Sequence, residues 1–217
     1  MANWLDSAFY NFDRQFFVFL NGLEKVAGSF LTPLFKFVSF FGEGGLFLII
    51  LSVFLMLFAR TRKIGLSMLL AIGVGALFTN VILKNAVQRI RPFYKDELYA
   101  SFWQNAGATM VSEYSFPSGH TTVAMTSMTA LFLSSNNKKK SWTAYIFVLL
   151  MGLSRTYLIV HYLTDVLAGF IVGGIAGTIG YFLCKCFYSL FNKYSQKKFC
   201  AFMLNADIKN LIKKNKV

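Results

Sequence analysis

The sequence predicts an all-α protein, a polytopic bundle of helices that crosses a membrane several times. Hydrophobic residues make up 56% of the 217 residues and charged residues only 14%, whereas soluble domains are usually about one-quarter charged. Several apolar stretches approach the roughly 20 residues that a helix needs to cross a bilayer. Lipid offers no hydrogen bonds to the backbone, so these stretches must pair their amides and carbonyls internally as helices.

Five of these stretches are predicted to be transmembrane helices. They cover residues 45–59, 64–83, 118–133, 142–160 and 164–187. The length of the chain suits one domain over residues 1–217. Within it we expect a membrane-embedded core at residues 45–190 and a basic tail at residues 191–217.

The N-terminal stretch, residues 4–41, allows two interpretations. It is rich in phenylalanine but is interrupted by charged residues, which fits two amphipathic helices at the membrane interface. Alternatively, residues 26–41 form a sixth span, which we favour slightly. Asp6 and Asp13 stand in this stretch, and no basic segment followed by an apolar one precedes them, so we expect no cleaved leader.

Positive charge lies at the ends of the predicted spans and sets their orientation. The formal net charge is +13, and cations cluster at residues 60–63, 138–140 and 185–216. Such clusters typify cytoplasmic loops, and all three fall on one face of a cell membrane if the spans alternate. The extracytoplasmic face then receives Glu43, residues 84–117 and residues 155–161. Because no basic patch is interleaved with a soluble fold, we expect no nucleic-acid partner.

The cysteines and the glycines of the fifth span are assigned no chemistry. The three cysteines give neither a disulfide framework nor the spacing of a zinc site. In the fifth span Gly169, Gly173 and Gly177 recur every four residues. That spacing places them on one helical face and predicts close packing against another helix in lipid.

Ionisable residues gather at the extracytoplasmic ends of the spans, where such groups are costly and usually functional. His120 begins the third span, and His161 and Asp165 flank the start of the fifth. The resulting cluster is strongly positive and suits a phosphate dianion, because arginine offers paired planar donors and lysine a point charge. Its cations end the second and fourth spans: Lys84, Arg89, Arg91 and Arg155.

The run from Ser115 to His120 is typical of a helix start that binds an anion. Pro117 is favourable near such a start, because its missing N–H would be unpaired there anyway. Ser118 can cap the helix, and the free N–H groups of the first turn can face an anion. Gly119 allows a phosphate to approach the backbone closely.

His161 and Asp165 are four residues apart and are expected to share a helical face. An aspartate that accepts from one imidazole nitrogen fixes which nitrogen keeps its lone pair. The pair therefore suits a nucleophile or a general base. A metal phosphatase would need more carboxylates or histidines. We therefore expect no metal and no cofactor, with the cations stabilising the developing charge.

These residues form three motifs that resemble those of the type 2 phosphatidic acid phosphatases. The first motif is Lys84, six residues, and Arg91-Pro92. The second is Pro117-Ser118-Gly119-His120. The third is Ser154-Arg155, five residues, His161, three residues and Asp165. All three are complete and in order, and they cover the chain from residue 84 to residue 165.

The resemblance implies a role for each motif residue. His161 would attack phosphorus and form a phosphohistidine, Asp165 would orient His161, and His120 would protonate the leaving alcohol and then activate water. A neutral His161 beside a protonated His120 implies a bell-shaped pH dependence of activity. Arg89 lies outside the motifs and is expected to be a surface or headgroup cation. The phosphate-binding residues would be Lys84, Arg91, Ser118, Gly119 and Arg155.

The resemblance also implies a lipid substrate in the bilayer, namely phosphatidic acid, phosphatidylglycerophosphate or undecaprenyl diphosphate. Gly119 favours the phosphatidylglycerophosphate phosphatase B type, because some small undecaprenyl diphosphate phosphatases carry aspartate there. Residues 93–116 hold several aromatic side chains, which are expected to anchor at the headgroups or to cover the site. The alternatives are an inactive lipid-phosphate-binding membrane protein and a transporter. No obligate protein partner is evident.

Overall fold

All the regular structure of residues 2–208, the part of the chain that the computed structural model describes, is helical. A 3₁₀ turn at Glu43–Gly45 precedes the second helix, and a π-helical stretch at Leu77–Leu83 extends the third. The α-helices are α1 (Asn3–Phe40), α2 (Leu46–Met56), α3 (Arg62–Ala76), α4 (Lys84–Val87), α5 (Pro92–Lys95), α6 (Glu97–Ala106), α7 (Gly119–Ser134), α8 (Lys138–Ser141), α9 (Ala144–Tyr157), α10 (Leu163–Lys193) and α11 (Lys198–Asn205).

Helices α3, α7 and α10 form the centre of the bundle. Helix α10 packs along both α7 and α3, while α2 packs against α3, and α9 packs against α7 and α1. Met68 and Ala124, which are fully buried, belong to the apolar core of this centre. Because lipid is as apolar as these side chains, the helices are held together by close dispersion contacts rather than by exclusion of water.

The all-α prediction is confirmed, and α2, α3, α7, α9 and α10 lie at the five predicted spans. Within residues 2–208, length and composition identify three stretches that can cross a membrane: Asn3–Met56, Arg62–Lys95 and Leu163–Lys193. Helices α7 and α9 have 16 and 14 residues, fewer than the roughly 20 of an isolated span. The second predicted span also runs further than expected, since its π-helical stretch continues into α4.

The N-terminal stretch, α1, consists of two helical segments that meet at a kink. Ala27 leaves helical geometry with φ −130° and ψ 15°, directly before a Gly-Ser pair of the kind at which helices commonly bend. Both halves of α1 contact the end of the bundle where α9 stops and α10 starts. Asp13 bonds to Thr164, and Ser39 bonds to Arg155. In the predicted basic tail, residues 209–217 lie outside the described residues.

The aromatic segment at residues 93–116 is packed into the protein more than headgroup anchoring predicts. Phe93 and Tyr99 are buried, while Tyr94 is exposed. Phe93 stacks on Trp103 at a centroid distance of 4.9 Å, and Tyr99 packs edge-on against Phe17 of α1 at 5.0 Å. The segment therefore joins α1 to the link between α9 and α10, and its exposed members remain available to the interface.

The glycine face of α10 is confirmed as a packing surface. A Cβ atom on Gly177 would lie 2.6 Å from Thr129 Cβ and 2.7 Å from the Thr126 carbonyl oxygen. A Cβ on Gly173 would lie 2.7 Å from Met125 Cβ. These positions let the backbones of α10 and α7 approach more closely than alanine would allow.

Replacing Gly177 with alanine is therefore expected to destabilise the bundle by about 1–3 kcal/mol, the usual cost of overpacking. Gly174→Ala is the matched control, because its Cβ would lie 3.5 Å from Met125 Cε in ordinary contact. The melting temperature of detergent-solubilised protein should fall for Gly177→Ala and stay at or above wild type for Gly174→Ala. Equal melting temperatures for the two variants would contradict this packing.

Candidate active site

A cavity of about 330 Å³ opens at the end of the bundle where α7 and α10 begin. The turn Glu43–Gly45, the π-helical residues Thr79 and Asn80, and Glu113 contribute to its wall. Six residues predicted from the sequence motifs also line it: Lys84, Arg91, Gly119, His120, Arg155 and His161. The structure therefore brings together residues that are separated by as much as 77 positions in the sequence.

Asp165 and Ser118, the other two predicted site residues, lie behind this wall and are fully buried. The Ser118 backbone N–H donates to the Asp165 carbonyl oxygen at 3.1 Å. The Ser118 hydroxyl accepts from Thr121 rather than from an N–H group of the helix start. Ser118 thus ties the start of α7 to the start of α10, and the prediction that its side chain caps α7 is wrong.

His161 lies in the non-helical link between α9 and α10. In this link Ile159 adopts a left-handed conformation with φ 55°, which costs a β-branched residue about 1–3 kcal/mol. The turn persists because Ile159 is buried in an apolar cluster with Phe17, Tyr99 and Tyr162. This strained turn redirects the chain two residues before His161.

The two ring nitrogens of His161 have different neighbours. Nδ1 lies 3.6 Å from Asp165 Oδ2, an ion-pair distance longer than a hydrogen bond. Nε2 lies 3.3 Å from Arg91 Nη1. The Ser115 hydroxyl donates to the same Asp165 oxygen at 2.5 Å, and the Tyr162 backbone N–H donates to it at 3.0 Å. Asp165 therefore faces Nδ1 and leaves Nε2 on the side of the cationic Arg91.

Besides the Thr79 hydroxyl, two nitrogen atoms at the cavity are buried without a hydrogen bond to residues 2–208. They are Nε of Arg155 and Nε2 of His120. Arg155 is anchored through Nη1, which donates to the Ser39 hydroxyl of α1. A carboxylate oxygen of Glu43 lies 3.5 Å from His120 Nε2 but makes no hydrogen bond to it. Buried polar groups rarely stay unpaired, so these two nitrogens indicate that the cavity accepts a polar ligand.

The turn before α2 was not anticipated as part of the site. A Cβ atom on Gly42 would lie 2.6 Å from His120 Cδ2, so the backbone packs directly on that ring. Gly44 and Gly45 both have positive φ, at 54° and 69°, which glycine adopts without steric cost. The Gly-Glu-Gly-Gly sequence is typical of a tight turn and could have predicted one here. This turn places the exposed Glu43 at the mouth of the cavity.

Lys84 forms an ion pair with Glu113 on the opposite side of the cavity. This hydrogen bond and the ammonium charge hold the pKa of Glu113 below its usual value. Glu113 belongs to the loop before α7, and its carbonyl oxygen accepts from Arg91 Nε at 2.7 Å. A carboxylate therefore already occupies Lys84, at a point where an anionic ligand would also be attracted.

The sequence prediction for Arg89 is wrong. It was expected to be a surface or headgroup cation, but its side chain is 1% exposed. Its guanidinium pairs with Asp165 at 2.6 Å, with Asp13 at 2.9 Å and with Asp6 at 2.9 Å. The prediction failed because the two aspartates of α1 lie more than 70 positions away in sequence and meet Arg89 only through tertiary packing.

The fold and the site define a helical membrane protein with a cationic cavity and a buried histidine–aspartate pair. Residues 62–193 match the model of the PAP2 superfamily. Phosphatidylglycerophosphatase B of Bacillus subtilis (strain 168) is 32% identical over 180 residues, covering 79% of this chain and 74% of that protein. Undecaprenyl-diphosphatase of Sulfolobus acidocaldarius is 30% identical over 145 residues, covering 66% of each.

A solved structure of a PAP2 type phosphatase also resembles this chain. The chain resembles the crystal structure of the transmembrane PAP2 type phosphatidylglycerolphosphate phosphatase from Bacillus subtilis, with a TM-score of 0.55 and 25% sequence identity. The match covers 89% of this chain and 98% of that chain. The protein therefore belongs to the PAP2 superfamily, which confirms the resemblance drawn from its three motifs. The relatives named here are a phosphatidylglycerophosphatase and an undecaprenyl-diphosphatase, so the chain belongs to a family that contains phosphatases.

The protonation of His161 can be measured directly, because the chain has only two histidines. Burial lowers the pKa of His161 well below its ordinary value of 6.5, and the cations Arg91 and Arg155 lower it further. In a His120→Asn variant, His161 is the sole histidine, and its NMR signals should remain those of a neutral imidazole down to a pH well below 6.5. A titration midpoint at or above 6.5 would contradict the burial and cationic surroundings described here.

Proposed function

We propose that the protein hydrolyses the phosphomonoester or diphosphate of a membrane lipid through a phosphohistidine at His161. The observation that carries this proposal is the position of the His161 ring. Its Nδ1 faces Asp165, while its Nε2 lies beside Arg91 at the cationic cavity. An imidazole with this orientation keeps a lone pair on the nitrogen nearest a bound phosphate.

The reaction has two steps that share one proton carrier. Nε2 of His161 attacks phosphorus, the bond from phosphorus to the lipid oxygen breaks, and His120 gives its proton to the leaving oxygen. His120 then takes a proton from water, whose oxygen attacks the phosphohistidine and releases inorganic phosphate. The Asp165 carboxylate faces Nδ1 and stabilises the positive charge that develops on the ring.

The phosphate oxygens would bind to Lys84, Arg91 and Arg155 and to the open helix start at Gly119. The unpaired Nε of Arg155 supports this assignment, as does the empty space around Gly119, where a Cβ would meet no atom within 4 Å. The phosphate would displace the Glu113 carboxylate from Lys84 or bind to Lys84 beside it. Ser118 would not touch the phosphate but would fix the position of the start of α7 through its backbone bond to Asp165.

The substrate would be a lipid such as phosphatidic acid, phosphatidylglycerophosphate or undecaprenyl diphosphate. The relatives named for the last two support this range. Gly119 in the second motif and the match to phosphatidylglycerophosphatase B favour the glycerophospholipid. The cavity lies at the end of the bundle, so the tail of the lipid would stay in the bilayer while its phosphate enters the site.

The cavity would open on the extracytoplasmic face of the cell membrane, with five spans and a cytoplasmic C-terminal tail. The basic clusters at the opposite ends of the helices support this orientation. Contacts of both halves of α1 with the active-site end of the bundle favour a helix lying along that face over a sixth span. Residues 1–217 would then form one phosphatase domain.

The reaction would need no metal ion. Among residues 2–208 no group of three or more histidine, cysteine, aspartate or glutamate side chains could hold one. The cavity wall carries Lys84, Arg91 and Arg155, which can stabilise the transition state electrostatically. A cation beside these three side chains would also be repelled.

Purified protein should release phosphate from at least one of these lipids in the presence of a chelator. His161→Ala should lower this activity to background, because the attacking nitrogen is lost, while the melting temperature in detergent confirms that the variant is folded. An exposed-site variant, Lys139→Ala, serves as the control and should match wild type. Full activity of folded His161→Ala would remove His161 as nucleophile, and binding without turnover by wild type would indicate an inactive lipid-phosphate binder. Loss of wild-type activity on chelation would overturn metal independence.

A further inference from the structure

Arg89 gathers four side chains around one buried guanidinium group. Nε donates to Asp6 at 2.9 Å, and Nη2 donates to Asp13 at 2.9 Å. Nη1 donates to the Thr164 hydroxyl at 2.7 Å and to Asp165 Oδ1 at 2.6 Å. Three carboxylates from two distant parts of the chain therefore meet at a single cation, although that cation does not belong to any of the three sequence motifs.

The contact with Asp165 fixes the orientation of that carboxylate. Arg89 binds Oδ1, so Oδ2 is the oxygen that faces His161 Nδ1 and accepts from Ser115 and from the Tyr162 N–H. Rotation of the carboxylate would break all of these contacts together. A guanidinium group suits this task because its donors have a fixed planar geometry, which a lysine ammonium group does not offer.

The N-terminal helix holds the guanidinium group in place. Asp13 Oδ2 accepts from both Arg89 and the Thr164 hydroxyl, and Asp13 Oδ1 accepts from the Thr164 backbone N–H at 3.0 Å. The Tyr162 ring covers the guanidinium face at 3.7 Å. Helix α1 is thus joined to the first turn of α10, directly beside the carboxylate that faces His161.

We propose that Arg89 is a positioning residue of the phosphatase reaction, which acts through Asp165 and is anchored by Asp13 of α1. This proposal rests on the proposed function, because it requires Asp165 to orient His161. Arg89 is not part of the cavity wall among the described residues, so it does not touch the phosphate. Arg89 therefore affects the rate at which bound substrate reacts rather than substrate binding. Through Asp13, helix α1 contributes to the same step.

The test is Arg89→Lys, which keeps the charge but loses the planar donors. We expect kcat for phosphate release to fall roughly ten- to hundredfold, the range found when residues that orient metal ligands are replaced, while KM changes less than threefold. Arg14→Lys is the matched control, since Arg14 is an exposed arginine of α1, and its kinetics should equal wild type. A rise in KM with unchanged kcat, or unchanged kinetics in folded Arg89→Lys, would overturn the proposal.

A double-mutant cycle separates positioning from a merely structural role. If Arg89 acts through Asp165, then Arg89→Lys should change kcat less than threefold in an Asp165→Asn background. A fall in kcat as large as in the wild-type background would mean that Arg89 acts independently of Asp165, and the proposal would be wrong. Melting temperatures in detergent identify any variant that fails for lack of folding.

Asp13→Asn keeps the cycle informative if Arg89→Lys does not fold. Loss of this anchor should lower kcat with little change in KM, again without additivity to Asp165→Asn. An unchanged kcat in folded Asp13→Asn would overturn the role of α1. If wild-type protein releases no phosphate from any lipid, the proposed function fails, whereas wild-type activity that is indifferent to Arg89 and Asp13 removes only this inference.

Discussion

The contacts that pair the buried carboxylate of Asp165 hold the site together. A fully buried charge costs several kcal/mol unless it is paired and hydrogen-bonded. Asp165 satisfies this requirement with Arg89 after α4, with Ser115 before α7 and with the backbone of the link before α10. Its own carbonyl oxygen accepts from the Ser118 N–H. Pairing this one residue therefore brings the ends of three helices together, and His161 is held among them.

The same convergence concentrates positive charge at the cavity. Lys84, Arg91 and Arg155 share its wall, and like charges at close range repel each other unless an anion lies between them. Glu113 neutralises part of that charge through its ion pair with Lys84, while Arg155 Nε has no protein partner among residues 2–208. Donors that are fixed before the substrate arrives need no reorganisation during the reaction, which is the basis of electrostatic catalysis. Packing elsewhere in the fold must therefore offset the mutual repulsion of these cations.

The sequence predicted the helical class and six of the residues that line the cavity, because both follow from patterns that are local in the chain. Apolar stretches of limited length must be helices in lipid, and their alternation brings Lys84, His120 and His161 to one face. The role of Arg89 could not be predicted, since its partners depend on how α1 packs against α10. Asp6 and Asp13 are seven residues apart and share a helical face, but this spacing does not name the cation that they meet. The strained turn at Ile159 is likewise set by its buried surroundings rather than by local preference.

In the proposed reaction His161 carries the phosphoryl group during turnover. The direct measurement uses a His120→Asn variant and an aryl phosphate analogue of the lipid, whose leaving group needs no protonation. Without His120 to activate water, a phosphohistidine should accumulate at His161 and be located by mass spectrometry at alkaline pH, while wild type shows little at steady state. Absence of any phosphoenzyme during turnover of the analogue, or phosphate on a different residue, would show that His161 does not carry the phosphoryl group.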